Sequence, residues 1–370
     1  MRIVIDKLVG NMKESSKTIC IIQNSIKTLA NFRISYIKEL LSRGISVVVI
    51  APNDDQVSVN LLKKCGVKVR TTNSSNILVR SLFINIQMIR LMLAENKRVI
   101  FVCHFVVTFV MSIPALLFAN KKILFIEGVG SFFSKRHFFS KILKFLVKNI
   151  PNKTVFMNSY EKGLLGCKSD LVLGGIGVDL LEFCDENFNV SKPSSHIRLL
   201  YIGRLVEDKG ILDVLNLARL LMKENIDYKL DVVGDIHPGN PSTLSEEQLS
   251  LLEKELAGNV QFHGYKSEVK EFYKRADVLL LLSKHEGFPV VVMESNAMGV
   301  PVLAYRVPGC EDAVCEGVNG YLANLSNIEE VKDLIVGNDW CKLRESSRKY
   351  ALDKFDRRQK DEIILRSILE

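Results

Sequence analysis

Residues 276–304, ADVLLLLSKHEGFPVVVMESNAMGVPVLA, constrain the fold of this chain more than any other stretch. Residues 278–282 form an unbroken apolar run, short enough for a strand buried on both faces. Residues 283–289 interrupt it with small, polar, Gly and Pro residues, so the chain turns there. Residues 290–298 have room for one short helix, which Gly299 and Pro301 end. Residues 302–304 then open another buried strand. A strand, loop, helix and strand in this order build a parallel sheet whose loops open at its carboxyl edge, where ligands bind in such folds. Two carboxylates, Glu286 in the loop and Glu294 on the helix, stand in this unit.

The same alternation runs through the whole chain. In the first half, 18–23, 47–51, 67–72, 99–103, 122–125, 154–157 and 171–173 read as strands. Residues 34–42, 57–65 and 84–94 between them have helical spacing. The second half starts afresh with a strand at 197–203, a helix at 211–224, strands at 228–234 and 260–265, and helices at 245–256 and 268–275. At 370 residues the chain exceeds what one core usually holds. The expectation is therefore α/β with two domains, each a parallel sheet with helices on both faces, at 18–190 and 197–345, joined by the Pro/Ser segment 191–196. Residues 1–17 have no secretory signal pattern and precede the first strand, so they are expected to be a loose leader with Met12 as the true start. Residues 346–370 are expected to form a C-terminal helix that returns to the first domain.

The totals narrow the partners. Fifty basic residues against 42 acidic ones leave a net charge of +8. That favours phosphates, nucleotides or anionic lipid head groups. The basic residues are dispersed without a zinc finger, homeodomain or RNP motif, so nucleic acid is not expected. Eight cysteines include no C-x-x-C pair and no His/Cys cluster with zinc spacing, so neither a metal site nor a disulfide framework is expected. A reduced, cytoplasmic compartment fits that usage.

Two segments each admit two readings. Residues 99–119 are about as long as the roughly 20 apolar residues that span a membrane. They are interrupted by His104, Thr108, Ser112 and Pro114, and they divide naturally into a strand and a buried helix, which is the reading adopted. FFSKILKFLVKN, residues 138–149, interleaves bulky apolar residues with lysines. Such a helix lies on an anionic membrane surface or is an ordinary surface helix with an apolar inner face.

Several residues offer chemistry. Arg204 and Lys209 sit in the loop between Gly203 and Gly210, ahead of a helix start whose N–H groups favour an anion. A planar guanidinium and a mobile ammonium suit a departing diphosphate; solvated surface charges are the plainer reading. The order of a Walker loop is absent. Glu286 and Glu294 suit sugar or ribose hydroxyls, since a carboxylate accepts two hydrogen bonds. Against that stand helix capping for Glu286 and a solvated face for Glu294. His104 follows the strand 99–103, and a lone His is most often structural. Glu127-Gly128-Val129-Gly130-Ser131 follows another strand, and its glycines permit close backbone approach or simply a tight turn. Pro308-Gly309-Cys310-Glu311 is a loop with N–H groups suited to phosphate. Asn319-Gly320 reads as a hairpin turn.

These residues carry a resemblance. GRLVEDKG, VVGD, VQFHGY, the 276–304 stretch and VPGCEDAVCEGVNGYL resemble the nucleotide-sugar half of retaining GT-B glycosyltransferases of family four, with Glu286 and Glu294 as its Glu-x(7)-Glu signature. Asn31-Phe32-Arg33, His104 and IEGVGSFF are similar to bacterial transferases that extend lipid-diphosphate-linked sugars. The resemblance implies a GT-B fold, two Rossmann-like domains facing a central crevice. It also implies that Arg204 and Lys209 hold the donor diphosphate, Glu294 the ribose of a UDP-sugar, and Glu286 the transferred sugar or leaving phosphate. Tyr265, Gly287 and Phe288 complete the donor set, with the base stacking near residues 263–266. His104 would orient the sugar at the reacting carbon, so the implied catalytic set is Glu286, His104, Lys209 and Arg204. Arg33, Glu127, Gly128 and Gly130 would form the acceptor or sugar loop. No metal or cofactor is implied, because basic residues supply the electrostatics. Two departures stand out. Residues 25–30, SIKTLA, lack the family's twin glycines, and Ser295 and Asn296 replace small apolar residues beside the second Glu.

The expected function is hexosyl or N-acetylhexosaminyl transfer from a UDP-sugar to a polyprenyl-diphosphate-linked saccharide, in O-antigen, capsule or other lipopolysaccharide-related assembly. The expected location is the cytoplasmic face of the inner membrane, held peripherally on its anionic surface. A UDP-sugar 2-epimerase of the same fold, a non-catalytic UDP-binding protein and a membrane protein spanning at 99–119 are the alternatives. Turnover without acceptor marks the first, and binding without turnover the second.

Overall fold

A computed structural model describes residues 17–96, 98–128, 137–184 and 196–370. The leader before residue 17, the Pro/Ser segment 191–195 and Gly130 lie outside these residues. The chain divides into two compact units. One runs to Leu173 and includes residues 360–370, and the other runs from Gly174 to Gln359. The division therefore falls at 173/174, ahead of the Pro/Ser composition change. Only the last eleven residues, rather than all of 346–370, belong with the first unit.

The first unit is built on β1 (Thr18–Ile22), β2 (Ser46–Pro52), β3 (Lys68–Thr72), β4 (Val99–His104), β5 (Lys121–Ile126), β6 (Lys153–Phe156) and β7 (Leu171–Val172). All pair in parallel in the order β3-β2-β1-β4-β5-β6-β7, with Ile19 opposite both Val47 and Ile100. Every residue of β1 and β4 is buried, as continuous apolar runs require in a sheet covered on both faces. The strand order reverses between β1 and β4. At such a switch point the loops diverge and leave a crevice at the carboxyl edge.

The 99–119 segment follows its split reading. β4 ends at His104, Phe105 breaks the chain with φ of 69°, and a helix runs Val106–Leu116. The helix expected at 84–94 begins earlier, at Ile77. Asn76 caps it by accepting from the N–H groups of Leu78 and Val79 at 2.9 and 3.3 Å. Its first turn carries exposed apolar residues (Leu78 is 76% exposed), so no core-facing period announced it. Ile77–Ala94 is long and apolar enough, by length and composition, to cross a membrane. The basic amphipathic segment is a helix, His137–Asn149. It buries Leu143 and Val147 and exposes Phe145, Lys141 and Lys148.

The second unit holds β8 (Ile197–Ile202), β9 (Tyr228–Val233), β10 (Val260–Phe262), β11 (Val278–Leu281), β12 (Val302–Tyr305) and β13 (Gly320–Ala323). They are parallel in the order β10-β9-β8-β11-β12-β13, with the reversal between β8 and β11. The hairpin expected at Asn319-Gly320 is not there. β13 pairs in parallel with β12, and a Cβ on Gly320 would lie 2.1 Å from the Val302 carbonyl. Glycine at that position serves close strand approach, not a turn.

Candidate functional site

The second unit's site starts from three glycines at strand ends. Gly210 has φ of 76°, and a Cβ there would meet the Leu282 carbonyl at 1.9 Å. The loop after β8 is thus pressed against the end of β11, across the switch point. Gly309 has φ of 82°, and its Cβ would lie 2.5–2.6 Å from the carbonyls of Gly287 and Glu286. The loop after β12 therefore supports the backbone of Glu286 from the other side. Gly234 packs against the Gly203 carbonyl in the same way. No side chain larger than hydrogen fits at these contacts.

This packing brings Lys209 to Glu286, Nζ to Oε1 at 2.7 Å, at the carboxyl edge where the strand order reverses. The Glu286 side chain is 9% exposed and that of Lys209 29%. Arg204 is exposed beside them, and its carbonyl accepts a hydrogen bond from Tyr201 at 2.8 Å. The capping reading of Glu286 fails, because the helix Val290–Ala297 is N-capped by Pro289 without a side-chain hydrogen bond.

Glu294 has different surroundings. Its Oε2 accepts from the buried Tyr273 hydroxyl at 3.0 Å. Burial raises its carboxyl to about 7, with Tyr273 and Arg357 opposing and Glu182 adding to the rise. A solvated face is therefore excluded. Glu286 and Glu294 each have a separate partner and do not form one acid pair.

The remaining donor candidates divide. Phe288 is held edge-on to Phe355 at 5.9 Å, and a Cβ on Gly175 would strike its ring, so it anchors the loop. Gly287 carries one of the carbonyls packed against Gly309. Tyr265 is 71% exposed after β10. Its neighbour His263 is paired through Nε2 to Asp231 at 2.5 Å, and Arg275 holds the other oxygen of that carboxylate at 3.0 Å. A cavity of about 400 Å³ between Arg198, Lys229 and Arg275 lies at the opposite end of the strands. The loops that carry ligands in a parallel sheet are not there.

The polar departures beside Glu294 are accounted for. Ser295 Oγ and Asn296 Nδ2 donate to the Val300 carbonyl at 2.8 and 3.0 Å. Asn319 Nδ2 donates to Asn296 Oδ1 at 2.7 Å, while Asn319 Oδ1 accepts from the Cys315 N–H at 2.6 Å. These buried groups staple the Glu294 helix to the loop before β13, each polar atom matched.

In the first unit, Arg33, His104 and Glu127 converge at the carboxyl ends of β4 and β5. Arg33 Nη2 and Glu127 Oε1 form a short ion pair, and His104 Nδ1 lies 2.6 Å from the same oxygen. His104 stacks on Phe125 at 4.8 Å between ring centres, and its Nε2 is 3.0 Å from the Tyr36 hydroxyl. Burial would raise the Glu127 carboxyl, but Arg33 and His104 outweigh it and hold it at about 2. Burial lowers His104, against the pull of Glu127. Burial also raises Tyr36, so its hydroxyl keeps its proton and donates to Nε2 while Nδ1–H donates to Glu127. His104 is 0% exposed with both ring nitrogens occupied. Both contacts hold its ring in place, so in this structure His104 orders the cluster. Gly128 follows with φ of 113°. Phe105, next to His104, keeps a φ that a non-glycine residue rarely adopts, a form of strain that concentrates at functional sites.

The segment that replaces the twin glycines has a definite role too. Ser25 caps the helix Ile26–Ser42, and Asp54 Oδ1 accepts from the N–H of Ile26 at 2.8 Å. An internal carboxylate thus occupies the start of this helix, where an anion would otherwise be favoured. Sequence reading also missed Tyr36, Tyr273, Arg357 and the Gly174-Gly175-Ile176-Gly177 run. The run was legible as glycine density, and all three glycines have positive φ. The tyrosines and Arg357 carried no local signal.

Solved structures define the class. The Anabaena HepE complex with UDP matches with a TM-score of 0.78 at 16% identity, covering 95% of this chain and 99% of that one. The lipopolysaccharide outer core galactosyltransferase WaaB matches at 0.69 and 16% identity, covering 95% and 99%. The fold is that of the GT-B glycosyltransferases. Residues 185–351 match the family described as glycosyl transferases group 1, which is most of the second unit. The second unit is thus similar to the group 1 glycosyl transferases over most of its length, and the chain is a glycosyltransferase. The chain is similar to the Campylobacter jejuni N,N'-diacetylbacillosaminyl-diphospho-undecaprenol alpha-1,3-N-acetylgalactosaminyltransferase, 25% identical over 83% of this chain and 85% of that protein. It is also similar to the Salmonella typhimurium lipopolysaccharide 1,2-N-acetylglucosaminetransferase, 27% identical over 53% and 55%.

Proposed function

We propose that this enzyme moves a hexose or N-acetylhexosamine, with retention, from a UDP-sugar to a lipid-diphosphate-linked saccharide of a bacterial surface glycan. The observation that carries the reading is the Lys209–Glu286 pair at the strand-order reversal of the second sheet, beside the exposed Arg204. A lysine and an arginine at this edge give two cations for a diphosphate whose charge grows as the sugar leaves. Lys209 would exchange part of its contact with Glu286 for that phosphate, freeing the carboxylate to accept a sugar hydroxyl. Glu294, steadied by Tyr273, would accept ribose hydroxyls. Tyr265 and residues 263–266 would flank the base.

Support for the donor comes from HepE, which was solved with UDP and with UDP-glucose. Support for the acceptor comes from the Campylobacter relative, named for a diacetylated sugar on diphospho-undecaprenol. A lipid-linked acceptor places the enzyme at the membrane surface. The exposed lysines and Phe145 of the helix His137–Asn149 suit an anionic cytoplasmic leaflet. The test is a panel of UDP-sugars with polyprenyl-diphosphate-linked saccharides and purified, folded protein. Transfer from one donor with an α-linked product from an α-linked donor is expected. No transfer from any donor refutes the proposal.

A further inference from the structure

The first unit holds a cavity at the carboxyl edge of its sheet. About 170 Å³ of free space lies at the carboxyl ends of β1, β2 and β3, roofed by the helices Ile77–Ala94 and Val106–Leu116. That is below the roughly 300–1,000 Å³ of sites for drug-sized ligands, so it takes part of one sugar and not an oligosaccharide. Phe83, Val107 and Met111 give it apolar walls, and Thr72 and Arg80 give it polar ones. Thr108 also lines it, and the Thr108 hydroxyl donates to the His104 and Phe105 carbonyls. Through Thr108 the wall of the cavity is tied to the backbone of His104.

Gln23, the first residue after β1, also lines this cavity and is 1% exposed. Its backbone N–H donates to the Ile50 carbonyl at 3.1 Å, which fixes the residue in place. Among the described residues, neither Oε1 nor Nε2 of its side chain has a hydrogen-bond partner. A buried amide with both ends unmatched is costly, and such a group in a native fold requires an explanation. A ligand that brings one donor and one acceptor side by side supplies it.

We infer that this cavity takes the acetamido group of an N-acetylated acceptor sugar. Oε1 of Gln23 accepts from the acetamido N–H, and Nε2 donates to the oxygen on the adjacent ring carbon. The methyl group packs against Phe83, Val107 and Met111. A sugar with hydroxyl in place of acetamido leaves those walls unfilled, and a site built for a missing group discriminates against the analogue that lacks it. The inference deepens the acceptor side of the proposed function and rests on that reading.

The test uses the full chain and two short prenyl-diphosphate sugars that differ only at carbon 2, N-acetylglucosamine against glucose. Dissociation constants are measured for both, with a UDP titration run alongside. The acetamido compound is expected to bind at least about tenfold tighter. Gln23→Leu should bring that ratio to within about twofold, as should Met111→Trp, which fills the cavity from another wall. Thermal melting establishes that each variant is folded, and if one is not, the other decides. Equal affinity of the wild type for the two compounds overturns the inference. A preference that survives in a folded variant does so as well. Absence of UDP binding would instead strike the donor reading, leaving the comparison of the two acceptors intact.

Discussion

Glu127 in the first unit and Glu294 in the second are the same side chain under the same burial pressure, yet they respond oppositely. Glu127 is held at about 2 and Glu294 is raised to about 7. Burial pushes both carboxyls upward, because a charge loses its water. The difference lies in the partners. Glu127 has a buried guanidinium and an imidazole on one oxygen, whereas Glu294 has a neutral tyrosine hydroxyl with Arg357 acting through space. A direct cation reverses the effect of burial, and a neutral donor only moderates it. One glutamate is therefore a fixed charge within the fold, and the other can change its protonation near neutral pH.

The comparison breaks most severely if Arg33 is lost. Arg33→Met keeps most of the volume but leaves Glu127 buried without its guanidinium, which should cost about 3–5 kcal/mol in chemical denaturation. Glu127 should then behave like Glu294, its carboxyl moving upward. A loss below about 1 kcal/mol would mean that the pair is well solvated in solution. Next in size is Lys209→Ala, which removes the cation from a third glutamate, Glu286. If the proposed role holds, kcat should fall about 10²–10³-fold while the protein stays folded. Unchanged steady-state kinetics would remove Lys209 from the catalytic set.

Stability against pH sharpens the contrast, because the two groups act in opposite directions. The Glu127 carboxyl is lowered from an ordinary 4.5, so its contribution is present above about 4.5 and is lost as pH falls towards about 2. The Glu294 carboxyl is raised, so the unfolded chain releases its proton first as pH rises. Its contribution therefore declines from about 4.5 to about 7 and is level above that. Glu294→Gln should remove that decline and raise stability at pH 8 by about 1–3 kcal/mol. Melting curves across pH check both signs, and a parallel decline in the variant would assign it elsewhere. The smallest effect belongs to Tyr273→Phe. Losing this donor should cost about 1 kcal/mol and move the Glu294 carboxyl further up, readable as a shift of the same pH window.

Much of this architecture was legible because buried parallel strands are short continuous apolar runs. Residues 278–282, 99–103 and 18–23 announced β11, β4 and β1, and the polar residues after them, with Gly287 and Pro289 after the first, announced the breaks. The helix Ile77–Ala94 was half-missed because its first turn buries nothing and so has no core-facing period. Asn319-Gly320 was misread because a dipeptide that commonly makes hairpins here holds a buried amide network and a tight parallel approach. His104 was picked out for its place at a strand end. Its closure by Tyr36 and Glu127 depends on residues 68 positions before it and 23 after it.

The sequence by itself therefore determined the alternation of strand and helix and the motifs shared with group 1 glycosyl transferases, because each is written in residues close together along the chain. Only the tertiary structure decided which glutamate meets a cation, that an aspartate closes the first helix start, and that Gln23 ends unpartnered at a cavity. Those outcomes depend on distant elements packed to within a hydrogen bond. The dielectric and the partners that set a side chain's charge exist only after that packing is complete.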